Sequence, residues 1–460
     1  MAEFKISKGL DLPIEGGSSR EVAAVDFPEY AAVYPSEYPE VKARMAVEVG
    51  QTVKRGSKLF SCKKREDLSF CAPVAGVVRE IELGERRAIV KILIETDPEN
   101  EAVDFDKYTL AETAAIERGQ VFNLLQQTGF MAFIRQRPFS RIAKPSSRPK
   151  AIFVNAMQQG PFRADAEVVI EADPAAFQAG LNLMTRLTDG KVYLNIAPSV
   201  SLLALTEAKG VEINTFAGPH PAGNNSVHIA KLDPLTPNET VWTVDAANLV
   251  LIGKLFLEGV LPERQVISLG GPGVKPSARR HYRVVRGGSL KPVLRDALVD
   301  GEQRIVNGSI LMGDKVSSED CLRFFAPGLT VIAEERKREF IGWMAPGLNV
   351  FSTSRLFLSK WLRPNAKWPL TTADHGGKRA MFATGIYDRV MPLNIMVDFL
   401  LRAIIGHDTE EAVSLGILET DPEDFALCSY MCPSRTDIVG IVRAGLQEIE
   451  DEGVYTQEVD

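Results

Sequence analysis

Histidine and cysteine are scarce in this chain, five of each in 460 residues. Cysteines so few and so scattered exclude a disulfide framework, and we place the chain in the cytoplasm. No run approaches the roughly 18 apolar residues of a membrane span. The opening Met1-Ala-Glu-Phe-Lys-Ile-Ser-Lys8 lacks the apolar core of a signal peptide. Any work at a membrane therefore requires docking through a partner. A net charge of −7, with no basic block, argues against nucleic-acid binding. What is present is the composition of an ordinary globular protein, 45% apolar and 25% charged, with room for about three domains.

The stretch Ala151 to Gly273 organises the rest. Its apolar opening Ala151-Ile-Phe-Val154 is a strand, and Glu167-Val-Val-Ile-Glu171 reads as a buried second one. Asp173-Pro174 is a helix start, an N-cap residue followed by proline at the first helical position, where the missing N–H costs nothing. Phe177, Leu181, Met184 and Leu187 recur at helical spacing, and the helix stops near Gly190. Val192–Ile196 is a further strand, Ser199–Lys209 a helix ended by Gly210, and Val211–Phe216 another strand. Asp245 caps a helix that ends at Gly259. Strands alternating with helices predict a mostly parallel sheet with helices on its faces. Nucleotides often bind on such a scaffold, yet neither G-x-G-x-x-G nor a P-loop, the backbone cradles that hold phosphates, joins these elements.

On either side lie smaller units. Residues 42–94 contain two glycine-punctuated half-motifs, Val47 to Phe60 and Ala72 to Val78, followed by the strand Ala88–Glu95. They predict a small β-sandwich that looks like the biotinyl/lipoyl carrier fold. At the hairpin tip, where carriers bear a modified lysine, Ser61 to Asp67 has no clean attachment motif, so Lys63 and Lys64 read as part of a solvated turn. Gly129 to Arg141 concentrates phenylalanine and arginine. It is either a helix end and turn with arginine stems over apolar surface, or a wall for a flat ligand or a neighbouring protein. Lys144 to Lys150 reads as a domain boundary by composition. The Gly/Pro-rich loop Ala217 to His228 carries His220 and His228 beyond a strand end, where ligands of open α/β sheets are found. Neither histidine has a metal-ligand spacing.

Glu263 to Gly313, two strands, a short helix and a further strand, looks like the soluble-ligand-binding β-grasp (SLBB) domain. Arg336 to Trp368 carries Trp343, Trp361 and Trp368 among Arg355, Lys360, Arg363 and Lys367, a contact surface or a local core. Helices close the chain, with an apolar stripe from Met396 to Ile404 and a last helix over Ile438–Glu450. Cys428-Ser-Tyr-Met-Cys432-Pro433 matches the tail of the bacterial iron–sulfur run, but the two upstream cysteines are missing. The pair reads as buried reduced thiols under the last helix.

Several of these residues together carry a resemblance over nearly the whole length. Lys8-Gly-Leu-Asp-Leu12, Arg137-Pro-Phe-Ser140, His220-Pro-Ala-Gly223, Val390-Met-Pro392 and Leu427-Cys-Ser-Tyr-Met-Cys-Pro433 resemble the NqrA family, one of the subunits of the bacterial sodium-translocating NADH:quinone reductase. The order of units is also similar to the flavoprotein subunit of respiratory complex I and to its counterpart in the Rnf electron-transport complex. In those relatives a glycine-rich loop holds FMN and cysteines hold a cluster. Here Gln127-Thr-Gly-Phe-Met-Ala132 stands where the glycine run is needed, and only two cysteines remain.

The resemblance implies a multidomain α/β protein. Its units are a biotinyl/lipoyl-like sandwich with an N-terminal extension (1–100), a Rossmann-like parallel core (101–260), an SLBB-like β-grasp (261–330) and a C-terminal helical domain (331–460). It implies a peripheral subunit on the cytoplasmic face of the bacterial inner membrane. That subunit supports ubiquinone reduction coupled to sodium export and binds no flavin, iron–sulfur centre or metal of its own, while the complex uses NADH and flavins. The implied partners are the other subunits, the membrane-embedded ones above all, and ubiquinone. Candidate quinone or partner contacts are Phe130, Arg137, Phe139 and His220; no residue of this chain is assigned to catalysis. A self-sufficient flavin- or NADH-dependent oxidoreductase is the competing reading.

Overall fold

The computed structural model describes residues 2–38, 40–157, 159–236, 238–336, 344–353, 356–373 and 376–453. Two small sheets form the N-terminal sandwich. Tyr30–Val33, Ile89–Thr96, Gly76–Leu83 and Thr52–Val53 make one, and Ala43–Met45, Lys58–Cys62 and Ser69–Cys71 the other. Leu59, Phe60, Phe70, Val78, Ile92 and Ile94 from these strands belong to one buried core, with Leu59 at a register shift between Lys58 and Phe60. The Phe60 and Phe70 rings stack 4.6 Å apart. Gly76 sits at a corner with φ 154°, where a Cβ would lie 1.9 Å from the Glu95 carbonyl oxygen. Lys63 and Lys64 are exposed on the turn between Lys58–Cys62 and Ser69–Cys71.

The central sheet has seven strands. Glu3–Lys5, Glu212–Ala217, Lys191–Ile196, Ala151–Asn155 and Val241–Asp245 run parallel, and Arg135–Arg137 and Arg141–Ile142 extend it antiparallel. The segment 144–150 therefore joins two strands of one sheet and is not a boundary between domains. Helix Pro174–Leu187 starts as expected, with the Asp173 side chain accepting from the Ala176 N–H. It packs on Ala246–Glu258 through glycine: a Cβ on Gly253 would lie 1.8 Å from the Ala176 carbonyl oxygen.

Three local expectations give way to the fold. Ala166–Glu171 is a helix, not a strand; Asp165 caps it by accepting from the Glu167 N–H, and Val168, Val169 and Ile170 are all buried. Its β-branched run suggests a strand, but a strand presents alternate residues to opposite faces, whereas this turn of helix is enclosed by the helices around it. Of Ser199–Lys209 only Leu203–Thr206 is helical: the Glu167 carboxylate takes the N–H groups of Ser201 and Leu202 just ahead of it, and Glu207 leaves helical geometry at φ −121°, ψ 21°. The Gly/Pro loop is shorter than its composition implies: Asn225–Leu232 is a helix and contains His228.

The β-grasp sheet runs Asp314–Val316, Gln303–Asn307, Gly328–Ala333, Arg264–Gly270, Arg280–Val285, Ser19–Ala24, with the short helix Lys291–Leu294 against it. Its last strand comes from the N-terminal extension. At the other end of the chain, Val397–Ile405, Thr409–Ser414, Ala426–Met431 and Ile438–Glu452 pack around Leu400, Ile404, Phe425, Cys428 and Val442. That cluster continues into Phe216 and Val227, so the C-terminal helices share their core with the central sheet. Among the described residues, no helix is long and apolar enough to cross a membrane.

Candidate functional site: a filled crevice at the sheet edge

The carboxyl ends of parallel strands, with the helix N-termini that follow them, form the ligand crevice of an open α/β sheet. In this chain the ends are Asn155, Ile196, Ala217 and Asp245. Helix Asn225–Leu232 points its N-terminus there, with Asn224 as N-cap residue. A carboxylate lies beside that terminus, against the cap side chain. Asn224 Nδ2 donates to Asp424 Oδ1 at 2.9 Å. Asp424 is 2% exposed, and burial pushes its carboxyl above the usual range.

Asp424 arrives on a tight 3-10 turn, Pro422–Phe425, whose Asp421 cap accepts from the Glu423 N–H. Two arginines hold this turn against the sheet. Arg137 donates to the Thr420 carbonyl at 2.9 Å and pairs with Asp421 at 3.2 Å. Burial alone would raise the Asp421 carboxyl, but Arg137 and the Ser140 hydroxyl outweigh it and hold the group below the usual range. Arg163 bridges Asp245 at 3.3 Å and Glu423 at 3.2 Å. Burial pushes the Glu423 carboxyl up to about 7, with Arg163 pulling the other way.

The loop beneath is braced from two sides. Gln159 accepts from the Gly223 N–H and donates to the Gly218 carbonyl, and Asn155 donates to the Gly223 carbonyl. A Cβ on Gly223 would lie 2.1 Å from the Met157 carbonyl oxygen, so this approach requires glycine. The N-terminal segment straps across the loop: the His220 N–H donates to Asp11 and its carbonyl accepts from the Leu10 N–H. Burial, then Arg163, lowers the His220 imidazole to about 4. Burial lowers His228 to about 3, where its ring lies 4.2 Å from that of Phe216. Both are neutral at physiological pH, so neither carries a proton to donate as imidazolium.

The four candidate contacts fall in two places. Arg137 and His220 are buried at the filled crevice, and Phe139 packs nearby, half-buried, against the C-terminal cluster. Phe130 is elsewhere, in an aromatic cluster where the sandwich, central sheet and β-grasp meet, with the Arg286 guanidinium 4.6 Å from its ring. Between helix Ala246–Glu258 and the β-grasp opens a cleft of about 370 Å³. Of its cationic walls, Arg55 and Arg264 pair with Glu263, and Lys254 pairs with Asp173. Cys428 and Cys432 are buried free thiols, and the Tyr387 hydroxyl lies 3.1 Å from Cys432 Sγ. Trp343 and Arg355 lie outside the described residues. Trp361 is exposed, and Trp368 is buried with Arg363 over its ring.

Sequence reasoning picks out Arg137 and His220 but misses Arg163, Asn224, Asp424 and Arg286. Asp421-Pro-Glu-Asp424 does carry a helix-start signal, an aspartate before proline with an acid at the third position. Nothing in the sequence near Arg286 marks it.

A barrel-like sandwich, an α/β body with carboxyl groups of the C-terminal segment at its crevice, and a β-grasp body define a multidomain α/β protein. Family models match in the same order: the NqrA N-terminal barrel-sandwich hybrid domain over 4–97, the NqrA second alpha/beta domain over 116–261, and the NQRA C-terminal domain over 266–318. The NqrA subunit of the Na(+)-translocating NADH-quinone reductase of Tolumonas auensis is 40% identical over 449 residues, 97% of this chain and 99% of that protein. Its counterpart from Klebsiella pneumoniae is 40% identical over 98% of this chain and 100% of its own length. Among solved structures, an NAD+-reducing [NiFe]-hydrogenase in the H2-reduced state aligns with 74% of this chain and 63% of its own, at 14% identity and a TM-score of 0.38. The chain belongs to the NqrA family of Na(+)-translocating NADH-quinone reductase subunits.

Proposed function

We propose that the chain is a peripheral subunit on the cytoplasmic face of a Na(+)-translocating NADH:ubiquinone oxidoreductase. In this reading it supports ubiquinone reduction coupled to sodium export and holds no flavin or iron–sulfur centre of its own. One observation carries the second half: Asp424, bonded to the side chain of the N-cap residue Asn224, lies against the helix N-terminus to which a nucleotide phosphate would go. A diphosphate placed there would have to displace the Asp424 carboxyl from the cap side chain and would meet the Asp421 carboxylate that Arg137 holds ionised on the same turn. In this reading the crevice does not fit a dinucleotide.

The family membership supports the first half, together with an exposed apolar surface. Met344, Leu356, Trp361 and Leu362 are each more than 60% exposed, with Lys360 and Arg363 beside them. Apolar and cationic groups so exposed suit docking on a membrane-embedded protein of the complex. Of the four candidate contacts, Phe139 keeps part of its ring accessible beside Arg137, so a quinone reaching this chain would meet it there.

Co-purification from detergent-solubilised membranes tests docking: Trp361→Glu with Leu362→Glu should lower recovery of the membrane subunits. The visible spectrum of the purified chain tests the cofactor reading. Stoichiometric flavin with NADH turnover would establish the self-sufficient oxidoreductase instead. Titration with a ubiquinone analogue against wild type and Phe139→Ala tests the contact; without saturable binding, only docking remains.

A further inference from the structure

Three arginines enter the aromatic junction between the sandwich, the central sheet and the β-grasp. Arg135 lies over the Phe325 ring and pairs with Glu40 at 3.3 Å. Arg323 lies over the Tyr34 ring and pairs with Glu37 at 3.6 Å. Arg286, between them, is 4% exposed and has rings on several sides: Phe130 at 4.6 Å, Phe324 at 5.2 Å and Phe133 at 5.8 Å. Among the described residues, no carboxylate or carbonyl accepts from its guanidinium, and its buried Nε has no hydrogen-bond partner. Burial lowers its pKa to about 10, so it remains a cation at neutral pH.

The charge count at this junction does not close. Three guanidinium groups face two carboxylates, and burial pushes Glu37 up to about 7, so even that pair is incompletely ionised. Aromatic faces offset part of the cost of burying a cation but supply no negative charge. Arg286 also lines a cavity of about 30 Å³, shared with Tyr38, Gln265, Cys71 and Thr128. That space suits one small ion with a water beside it, and is far too small for a flavin, a quinone ring or a nucleotide.

We propose that this cavity binds a small monovalent anion of halide size, held by the Arg286 guanidinium. Because its walls come from the sandwich, the central body and the β-grasp, the anion ties three bodies together at a single point. It is a structural ligand, independent of the quinone and docking readings.

The full-length protein tests this by thermal melting as gluconate is replaced with chloride, bromide or formate at constant ionic strength. A ligand that binds only the folded state raises the melting temperature saturably, by about 2–4 °C for a chain of this size. Arg286→Met, similar in volume and apolar, should melt at a temperature independent of the anion. A rise of equal size in Arg286→Met, or no rise with any of the three anions in wild type, overturns the proposal. Crystals of wild type grown in bromide make the test independent of any variant: an anomalous peak in contact with Arg286 supports the site, and no peak there refutes it.

Discussion

Arg137 and Arg286 are equally hidden, 5% and 4% exposed, yet they meet the cost of burial in opposite ways. Arg137 has a carbonyl and a carboxylate from one turn of the C-terminal segment. Arg286 has aromatic faces and a small cavity. The first arrangement joins two parts of the chain that are 283 residues apart in sequence, and depends on no outside species. The second leaves a charge for something else to balance. A buried ion pair is weak evidence for net stability, but breaking one from a single side is costly because it strands the partner.

The largest expected effect follows from that asymmetry. Arg137→Met leaves Asp421 without its cation and should cost about 3–5 kcal/mol. Arg286→Met strands no carboxylate, and without a small anion in the buffer its stability should stay within about 1 kcal/mol of wild type. Urea denaturation of both variants in gluconate measures the difference, and equal losses would erase the distinction. A double-mutant cycle sharpens it. Adding Asp421→Leu to Arg137→Met should recover part of the loss, with a coupling energy of about 1–3 kcal/mol; strictly additive losses would mean that the pair contributes nothing as a pair.

Much of the fold is legible because it rests on local chemistry. Asp173-Pro174 starts a helix wherever it lies, glycine marks the sandwich corners, and the spacing of Phe177, Leu181 and Met184 needs no partner to be read. What escapes depends on distant residues. Glu3–Lys5 and Ser19–Ala24 are short strands completed by sheets formed hundreds of residues later. Glu167–Glu171 reads wrongly as a strand because Val168, Val169 and Ile170 fit either a strand or an enclosed helix, and tertiary packing decides which.

The candidate site divides along the same line. Arg137 stands out by its residue type, but its partner is a turn of the same chain, not the flat ligand that type suggests. The Asp424 position beside a helix N-terminus is a relation between two segments with no local mark. The cage around Arg286 draws rings from Phe130 and Phe324, which only the folded chain brings together.

A smaller effect separates the filled crevice by its pH dependence. The Glu423 carboxyl is raised from 4.5 to about 7, so between those values the folded chain binds more protons than the unfolded one. Stability then falls as pH rises through that window, the reverse of an ordinary paired carboxylate. The side chain is 37% exposed, so solvent screening keeps the loss to about 1 kcal/mol. Glu423→Gln should make the decline between pH 4.5 and 7 shallower, seen as a smaller fall in melting temperature, the remainder coming from the raised carboxyls of Glu37 and Asp424. An unchanged profile would assign the titration to Asp424 or to Glu37 instead.

The smallest expected effect falls on the cage. Phe130→Leu keeps an apolar side chain of similar bulk but removes the ring nearest to Arg286. The cation–π part of that contact is about 1 kcal/mol. If the rings only fill space, the loss is the same in gluconate and in chloride. If they share with an anion the task of stabilising the cation, losing a ring makes the anion matter more, and the melting difference between chloride and gluconate should widen in Phe130→Leu. Arg137 gives the control, since its balance comes from Asp421 within the chain, and no change of buffer anion should alter what Arg137→Met costs.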